Sequence, residues 1–391
     1  MKEGWKYKKI KEVGTVIGGT TPNTSNKEYW GGDNCWISPA ELDGSHYLYD
    51  SKKKITDKAV KEKNLKLLPV GTVILSSRAP IGKVTINKVP TYCNQGFKCV
   101  ICGKDLYNEF LYWWFWGHTN YLNSIGKGAT FVEISKTVVE NIEIPVPPLS
   151  EQQRIVSYLD SAFAKIDAVA KNAEDSLNEA KALFQSALAK MMKPKEGWEE
   201  KFLGDICTSV NYGTSKPSNE NGTYKYLRMN NITNEGFLDI SHYKTIILEG
   251  KELEKSLVKK GDILFNRTNS RELVGKSCVF TADEPMVIAG YLIRIKLKAD
   301  FEPQFVTYNM NLQRSLGKFQ HLIVGAVHQA NISAKSIQKI SISYPPLSVQ
   351  QSIVATLDNL KSKVDQLQDN LSRTLIECAA LKQSILRQTF E

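Results

Sequence analysis

The sequence lacks any apolar run near the roughly 18 residues that a membrane span needs; the longest is Phe110–Trp116. Its start, Met1-Lys2-Glu3-Gly4-Trp5-Lys6, has no apolar stretch, so no secretory leader is read. Histidine is scarce, with five in 391 residues and no H-E-x-x-H pair. Seven cysteines, an odd number in a chain long enough to build its own core, read as reduced thiols of a cytoplasmic protein. Cys99-Val100-Ile101-Cys102 has no second pair at zinc-finger spacing and reads as buried thiols in a strand, with no metal site. There is no G-x-S-x-G and no glycine-rich dinucleotide fingerprint. Gly275-Lys276-Ser277 imitates the end of a phosphate loop, but position 270, where that loop needs glycine, is Ser270. No catalytic residue is assigned. What is present is ordinary globular composition, 42% hydrophobic and 24% charged, which excludes wholesale disorder. The length calls for two or three domains.

The chain is written twice. Pro147-Pro148-Leu149-Ser150-Glu151-Gln152-Gln153-Arg154-Ile155-Val156 returns as Pro345-Pro346-Leu347-Ser348-Val349-Gln350-Gln351-Ser352-Ile353-Val354. Glu3-Gly4-Trp5 returns as Glu196-Gly197-Trp198, and Asp43-Gly44-Ser45-His46-Tyr47 as Asp239-Ile240-Ser241-His242-Tyr243. Gly71-Thr72-Val73-Ile74-Leu75 matches Gly261-Asp262-Ile263-Leu264-Phe265, and Gly82-Lys83 matches Gly275-Lys276. A repeat this long is a domain duplication, not a solenoid. The drifting spacing places loops of different length in one framework.

Each copy ends in a long helix. Ser150 with Gln153, and Ser348 with Gln351, have the spacing of a capping box. In the second copy apolar residues then fall at Ile353, Leu357, Leu360, Val364, Leu367 and Leu371, resuming at Cys378, Leu381 and Ile385. Steps of four and three are a coiled-coil seam. The matching places in the first copy are Ile155, Leu159, Ala162, Ile166, Val169, Ala173, Ser176, Ala180, Leu183 and Ala187. Helices of this length run about 60 Å. A head of about 150 residues is only about 40 Å across. Antiparallel helices therefore let the second head leave and rejoin the rod at one end. The division expected is 1–146 and 194–344 for the heads, 147–193 and 345–391 for the helices.

The formal charge of +10 is not spread evenly. Residues 1–145 carry 20 basic and 14 acidic side chains, and 194–344 carry 20 and 16. The helical segments balance, six against six and five against five. Two basic heads on a neutral spacer suit two contacts with one long polyanion and, with the motif search empty, favour a binding protein over an enzyme. Two readings stay open beside it: a dumbbell-shaped scaffold binding proteins at its ends, and a stand-alone DNA-modifying enzyme with an unrecognised site. Phe110–Trp116 reads as a buried helix rather than a base-stacking platform.

The doubled head, the Pro-Pro-Leu-Ser-x-Gln-Gln helix entries and the strand motifs together resemble the DNA-specificity subunit of type I restriction–modification systems. Those motifs are Trp36-Ile37-Ser38 with Tyr226-Leu227-Arg228, and Leu75-Ser76-Ser77-Arg78 with Leu264-Phe265-Asn266-Arg267. The resemblance covers the whole chain. It implies two mixed α/β (α+β) target-recognition domains in pseudo-twofold repeat, separated by a two-helix antiparallel coiled coil. It implies that each domain reads half of an interrupted double-stranded DNA site, while the subunit itself is non-catalytic. Two methyltransferase subunits, with motor-nuclease subunits as optional additions, would dock on it. S-adenosylmethionine would be bound by those partners and not by this chain.

DNA contacts are expected from polar residues in loops that differ between the copies. In the second head the first choice is Asn266, Arg267, Thr268, Asn269 and Arg271, because Arg takes guanine bidentately and Asn takes adenine. Arg228, Asn230 and Asn231 follow, then His328 and Gln329. In the first head the candidates are Thr20, Thr21, Asn23, Arg78, Asn94, Gln95 and Lys127. Arg78 and Arg267 are taken as a matched pair for base or phosphate.

Overall fold

The computed structural model describes residues 5–78, 80–126, 133–326 and 329–390. Packing divides the chain into two units: Met1–Glu174 with Leu371–Glu391, and Asp175–Asn370. Each unit is one head plus a piece of both long helices, so the division runs through the helices and not at their ends.

In the first unit a five-stranded sheet runs in the order Gly14–Gly18, Phe97–Cys102, Val73–Ser76, Val84–Asn87, Tyr47–Leu48. A three-stranded sheet sets Trp30–Ile37 between Lys53–Ile55 and Thr91–Cys93. Val73-Ile74-Leu75-Ser76 is buried at every position, as a continuous apolar strand should be when both sheet faces are covered. The helix Asn108–Gly117 is apolar all round and buried, as expected. Its Trp113 Nε1 still needs an acceptor and donates to Asp160 of the long helix at 2.9 Å. In the second unit Tyr308, from the matching helix Pro303–Ser315, donates to Asp358 at 2.6 Å.

The second unit repeats the plan. One four-stranded sheet runs Cys207–Tyr212, Leu292–Leu297, Ile263–Asn266, Ser277–Val279. Another runs Lys244–Ile246, Tyr224–Leu227, Met286–Ile288, Leu257–Val258. Each head closes with a two-stranded ribbon next to its helix entry, Lys6–Lys9 with Glu143–Val146 and Glu199–Phe202 with Ser341–Tyr344. The glycine–lysine matches are turns, with Gly82 and Gly275 at positive φ. Lys83 Nζ donates to Leu42 O and Lys276 Nζ to Ile232 O, both at 2.7 Å. Burial holds the Lys276 ammonium below its ordinary pKa.

The long helices span Leu149–Met191 and Leu347–Phe390. Their entries correct the capping-box expectation. The carbonyls of Pro148 and Pro346 accept the first helical bonds, from the N–H of Gln152 and of Gln350. Ser150, Gln153, Ser348 and Gln351 therefore lie inside the helices and are exposed. The first glutamine of each pair is the one that matters. Gln152, fully buried, accepts from Tyr107 N at 2.8 Å and donates to Asp105 O and Pro147 O at 2.9 and 2.8 Å. Gln350, also fully buried, accepts from Glu302 N at 3.0 Å and donates to Pro345 O at 2.8 Å.

The seam also differs by one residue at alternate places. Ile166, Ala173, Ala180 and Ala187 face inward as expected, but they alternate with Phe163, Ala170, Leu177 and Phe184. Val169, Ser176 and Leu183 are exposed. Both choices keep the three–four spacing; the observed one buries two phenylalanines and a leucine in place of Ala162, Ser176 and Leu183. In the second helix Leu381 is half exposed, and Lys382 turns inward to bridge Asp167 and cover the Phe163 ring at 5.1 Å. With Cys378 Sγ at 3.8 Å from Ile166 O, the two helix pieces of the first unit run antiparallel.

Candidate nucleic-acid interface

In the second head the chain makes a one-turn helix, Met229–Asn231, directly after the strand Tyr224–Leu227. Asn231 is buried and locks that turn. It accepts from Arg228 N at 2.8 Å and donates to Asp239 O and His242 O at 2.8 and 2.7 Å. Asn231 is therefore framework, and Arg228 is what the turn presents. Further along the chain the strand Ile263–Asn266 ends at Asn266, whose side chain is likewise buried. Arg267 follows, its guanidinium over the Tyr212 ring at 5.0 Å and Nη1 donating to Gly290 O at 3.3 Å. Tyr212 is itself fixed by Ala334 N, which donates to its hydroxyl at 2.8 Å. Thr268 is buried and donates to Asn331 Oδ1 at 2.7 Å.

These elements enclose a cleft of about 510 Å³ whose cations are Lys216, Arg228, Lys244 and Arg267, with Tyr291 and Gln329 beside them. None of the described residues lining it is acidic. A second hollow of about 410 Å³ takes Asn230, Asn269 and Ser270 and shares Arg228, Thr268, Tyr291 and Gln329. Six expected contacts thus converge: Arg228, Asn230, Arg267, Thr268, Asn269 and Gln329. Arg271 lines neither space; its Nε donates to Gln320 Oε1 at 3.2 Å. His328 lies outside the described residues.

In the first head, Thr20, Thr21, Asn94, Gln95 and Arg78 come together. Thr20 N donates to Cys93 O at 2.9 Å, and Thr21 Oγ1 donates to Gln95 Oε1. Asn94 Oδ1 accepts from Gly96 N at 2.7 Å, shaping its own turn. Arg78 Nε and Lys98 Nζ both reach Glu133, each at 2.9 Å. Asn23 is set apart, its side chain accepting from Ser25 N and its carbonyl from Trp30 Nε1. Beside it Trp30 and Lys52–Lys54 line a hollow of about 380 Å³. Lys127 lies outside the described residues. His46 is framework: its Nε2 is 2.7 Å from Glu109 and its ring stacks on Tyr112 at 3.8 Å.

One correction follows from comparing the copies. Ser76 N donates to Lys83 O as Asn266 N does to Lys276 O, and Ser77 O accepts from Ile134 N as Arg267 O does from Ile332 N. Ser77 is therefore the counterpart of Arg267, and Arg78 that of Thr268. Arg78 and Arg267 are not a matched pair; one residue of slip in an extended chain turns the side chain to the opposite face. The sequence reading also passed over Lys216, Lys244, Tyr291 and Lys98. Lys216 was within reach. Gly19-Thr20-Thr21-Pro22 corresponds to Gly213-Thr214-Ser215-Lys216-Pro217, and both glycines are required because a Cβ would meet backbone oxygen at 2.0 and 2.2 Å. Applying the repeat to the candidates in the first head would have pointed to it.

The family model described as the type I restriction modification DNA specificity domain matches residues 2–179 and again 195–375. The specificity subunit of the type I restriction enzyme MjaIX of Methanocaldococcus jannaschii is 35% identical over 287 residues, covering 68% of this chain and 66% of that protein. The chain thus spans just under two thirds of that relative. The EcoKI specificity subunit of Escherichia coli K12 is 25% identical over 419 residues, covering 99% and 89%. A solved chain from a study of complex assembly and conformational transition in a type I R-M system shares the fold. It has a TM-score of 0.78 at 22% identity and covers 100% of this chain and 98% of that one. These relatives lend no support to a protein-only scaffold or a stand-alone modifying enzyme. With two matched heads, two long helices and a cationic cleft, the chain belongs to the type I restriction–modification DNA specificity family.

Proposed function

We propose that each head reads one half of an interrupted double-stranded DNA site, with contacts supplied by the loop clusters described above. The observation that carries this is the cleft of the second head. Four cations, an exposed tyrosine and amide side chains face one space without a lining carboxylate, which suits phosphate binding and base-edge readout together. Arg267, clamped by Tyr212 and Gly290, is preordered for a directional contact. The guanidinium of Arg228, whose Nε is buried without a partner, is the second anchor.

The partners are two methyltransferase subunits, with motor-nuclease subunits as further members, acting in the cytoplasm. S-adenosylmethionine belongs to the methyltransferases. Support for docking comes from the long helices, which leave Tyr158, Val169, Leu183, Ile376 and Leu381 more than half exposed. No helix is long and apolar enough to cross a membrane among the described residues. The test is a methyl-transfer assay on duplex DNA with the chain alone, the partner alone and both. Sequence-restricted methylation only in the mixture supports the proposal; methylation by the chain alone overturns it.

A further inference from the structure

The two heads share several framework hydrogen bonds, so a position where they part chemically is informative. The serine caps Ser135 and Ser333 each accept from the N–H three residues on, and the isoleucine before each donates to the equivalent strand-end carbonyl. One residue earlier the copies diverge. Thr268 pairs with Asn331 in the second head, where Arg78 pairs with Glu133 in the first. Glu133 is the carboxylate of a cluster otherwise made of cations and amides. Its Oε2 takes Arg78 Nε and its Oε1 takes Lys98 Nζ. Lys98 is buried and held further by Ser77 Oγ at 3.0 Å and Gln95 O at 3.4 Å.

This carboxylate is fixed but not used up. It is 29% exposed, and two bonds occupy half of its roughly four lone-pair sites. Although burial works to raise its pKa, hydrogen bonds from Lys98 and Arg78 hold it below the ordinary value, so it is ionised and acceptor-only. Two cations around one carboxylate leave net positive charge, which offsets the repulsion that a lone carboxylate would feel from phosphates. Gln95, bonded to Thr21, lies beside it.

We propose that Glu133 is a base-reading residue of the first head, its carboxylate accepting a hydrogen bond from the exocyclic amino group of a base. Arg78 and Lys98 are its positioning residues. In the major groove only cytosine N4 and adenine N6 donate, so the base read is cytosine or adenine. The proposal rests on the reading that this head contacts DNA. The test is selection from a randomised duplex pool by the full chain, alone and with its methyltransferase partner, followed by sequencing of the bound DNA. Wild type is expected to enrich a two-part motif. Glu133→Gln is expected to lose about tenfold of the preference at one base pair of one half, leaving the other half intact. Glu133→Asp, which keeps the charge but withdraws it by one methylene, is expected to lose the same preference. It carries the test if the Gln variant does not fold. An unchanged motif in both variants overturns the proposal. So does a uniform gain of affinity in Glu133→Gln with wild-type behaviour in Glu133→Asp, the mark of a charge clamp. A wild-type chain that enriches no motif refutes the DNA reading itself.

Discussion

Removing Gln152 tests how the first head is tied to its helix. The side chain is fully buried and makes three hydrogen bonds, two of them to the head at Asp105 and Tyr107. Gln152→Ala deletes all three and leaves the Tyr107 N–H without its acceptor. At about 1 kcal/mol per bond, with an added penalty for the stranded group, the loss comes to about 3–4 kcal/mol. Gln350 makes one head bond and one to Pro345, so Gln350→Ala should cost about 2 kcal/mol. Gln153, Gln351 and Ser150 are exposed, and alanine there should change stability by less than about 0.5 kcal/mol. The assay is urea unfolding followed by two signals. Six of the seven tryptophans lie in the first unit, so their fluorescence follows that unit, while circular dichroism follows both. Gln152→Ala should lower the fluorescence midpoint by about 1 M or more. A larger loss from Ser150→Ala or Gln153→Ala would restore the capping-box reading and refute the anchor.

Arg267→Ala should weaken binding and reduce the dependence of affinity on salt by about one ion if it contacts phosphate; relaxed preference at a single base pair would mark base readout instead. Tyr212→Leu, which removes the ring under Arg267 and the hydroxyl bonded by Ala334, should shift DNA binding in the same direction by a smaller factor in a titration at fixed salt. Glu133 links stability to acidity. Because its folded pKa is lower than its ordinary 4.5, its stabilisation is complete above that pH and is lost as pH falls through the folded value. The stability gap between wild type and Glu133→Gln should therefore narrow below about pH 4.5 in acid unfolding curves. Cys99 and Cys278 are buried and their thiols pushed well up, while burial lifts Cys102 and Cys207 to about 12. A thiol reagent at neutral pH should label Cys99 and Cys278 far more slowly than in urea, and fast labelling of these two in the native state would contradict their burial.

The duplication, the two long helices and the buried aromatic helix were all legible in the sequence, because each rests on periodicity or repetition over many residues. What was not legible turned on single-residue register. Gln152 and Gln153 are chemically identical neighbours; only the helix start at Pro148 decides which one points inward. The choice between Ala162 and Phe163 on the seam keeps the same spacing, and side-chain volume decides it. Arg78 and Arg267 looked equivalent until backbone bonds to Ile134 and Ile332 set the strand ends one residue apart. Asn231 and Asn266 have the chemistry of base readers, but one bonds two carbonyls inside the head and the other is fully buried.

The first unit is made from both ends of the chain. Phe390 packs on Phe110 at 5.4 Å between ring centres, Trp5 meets the same ring at 6.5 Å, and Leu386 is 1% exposed in that core. During synthesis the ribosome makes Asp175–Asn370, about 200 residues, after most of this unit and before its last piece. At about 5–20 residues per second that is a wait of roughly 10–40 s. Throughout it the apolar surface around Phe110 stays uncovered, while the continuous second unit can close on itself. The half of the protein made first is thus the half completed last, and a nascent chain stalled before Leu371 would expose that surface to chaperones and proteases.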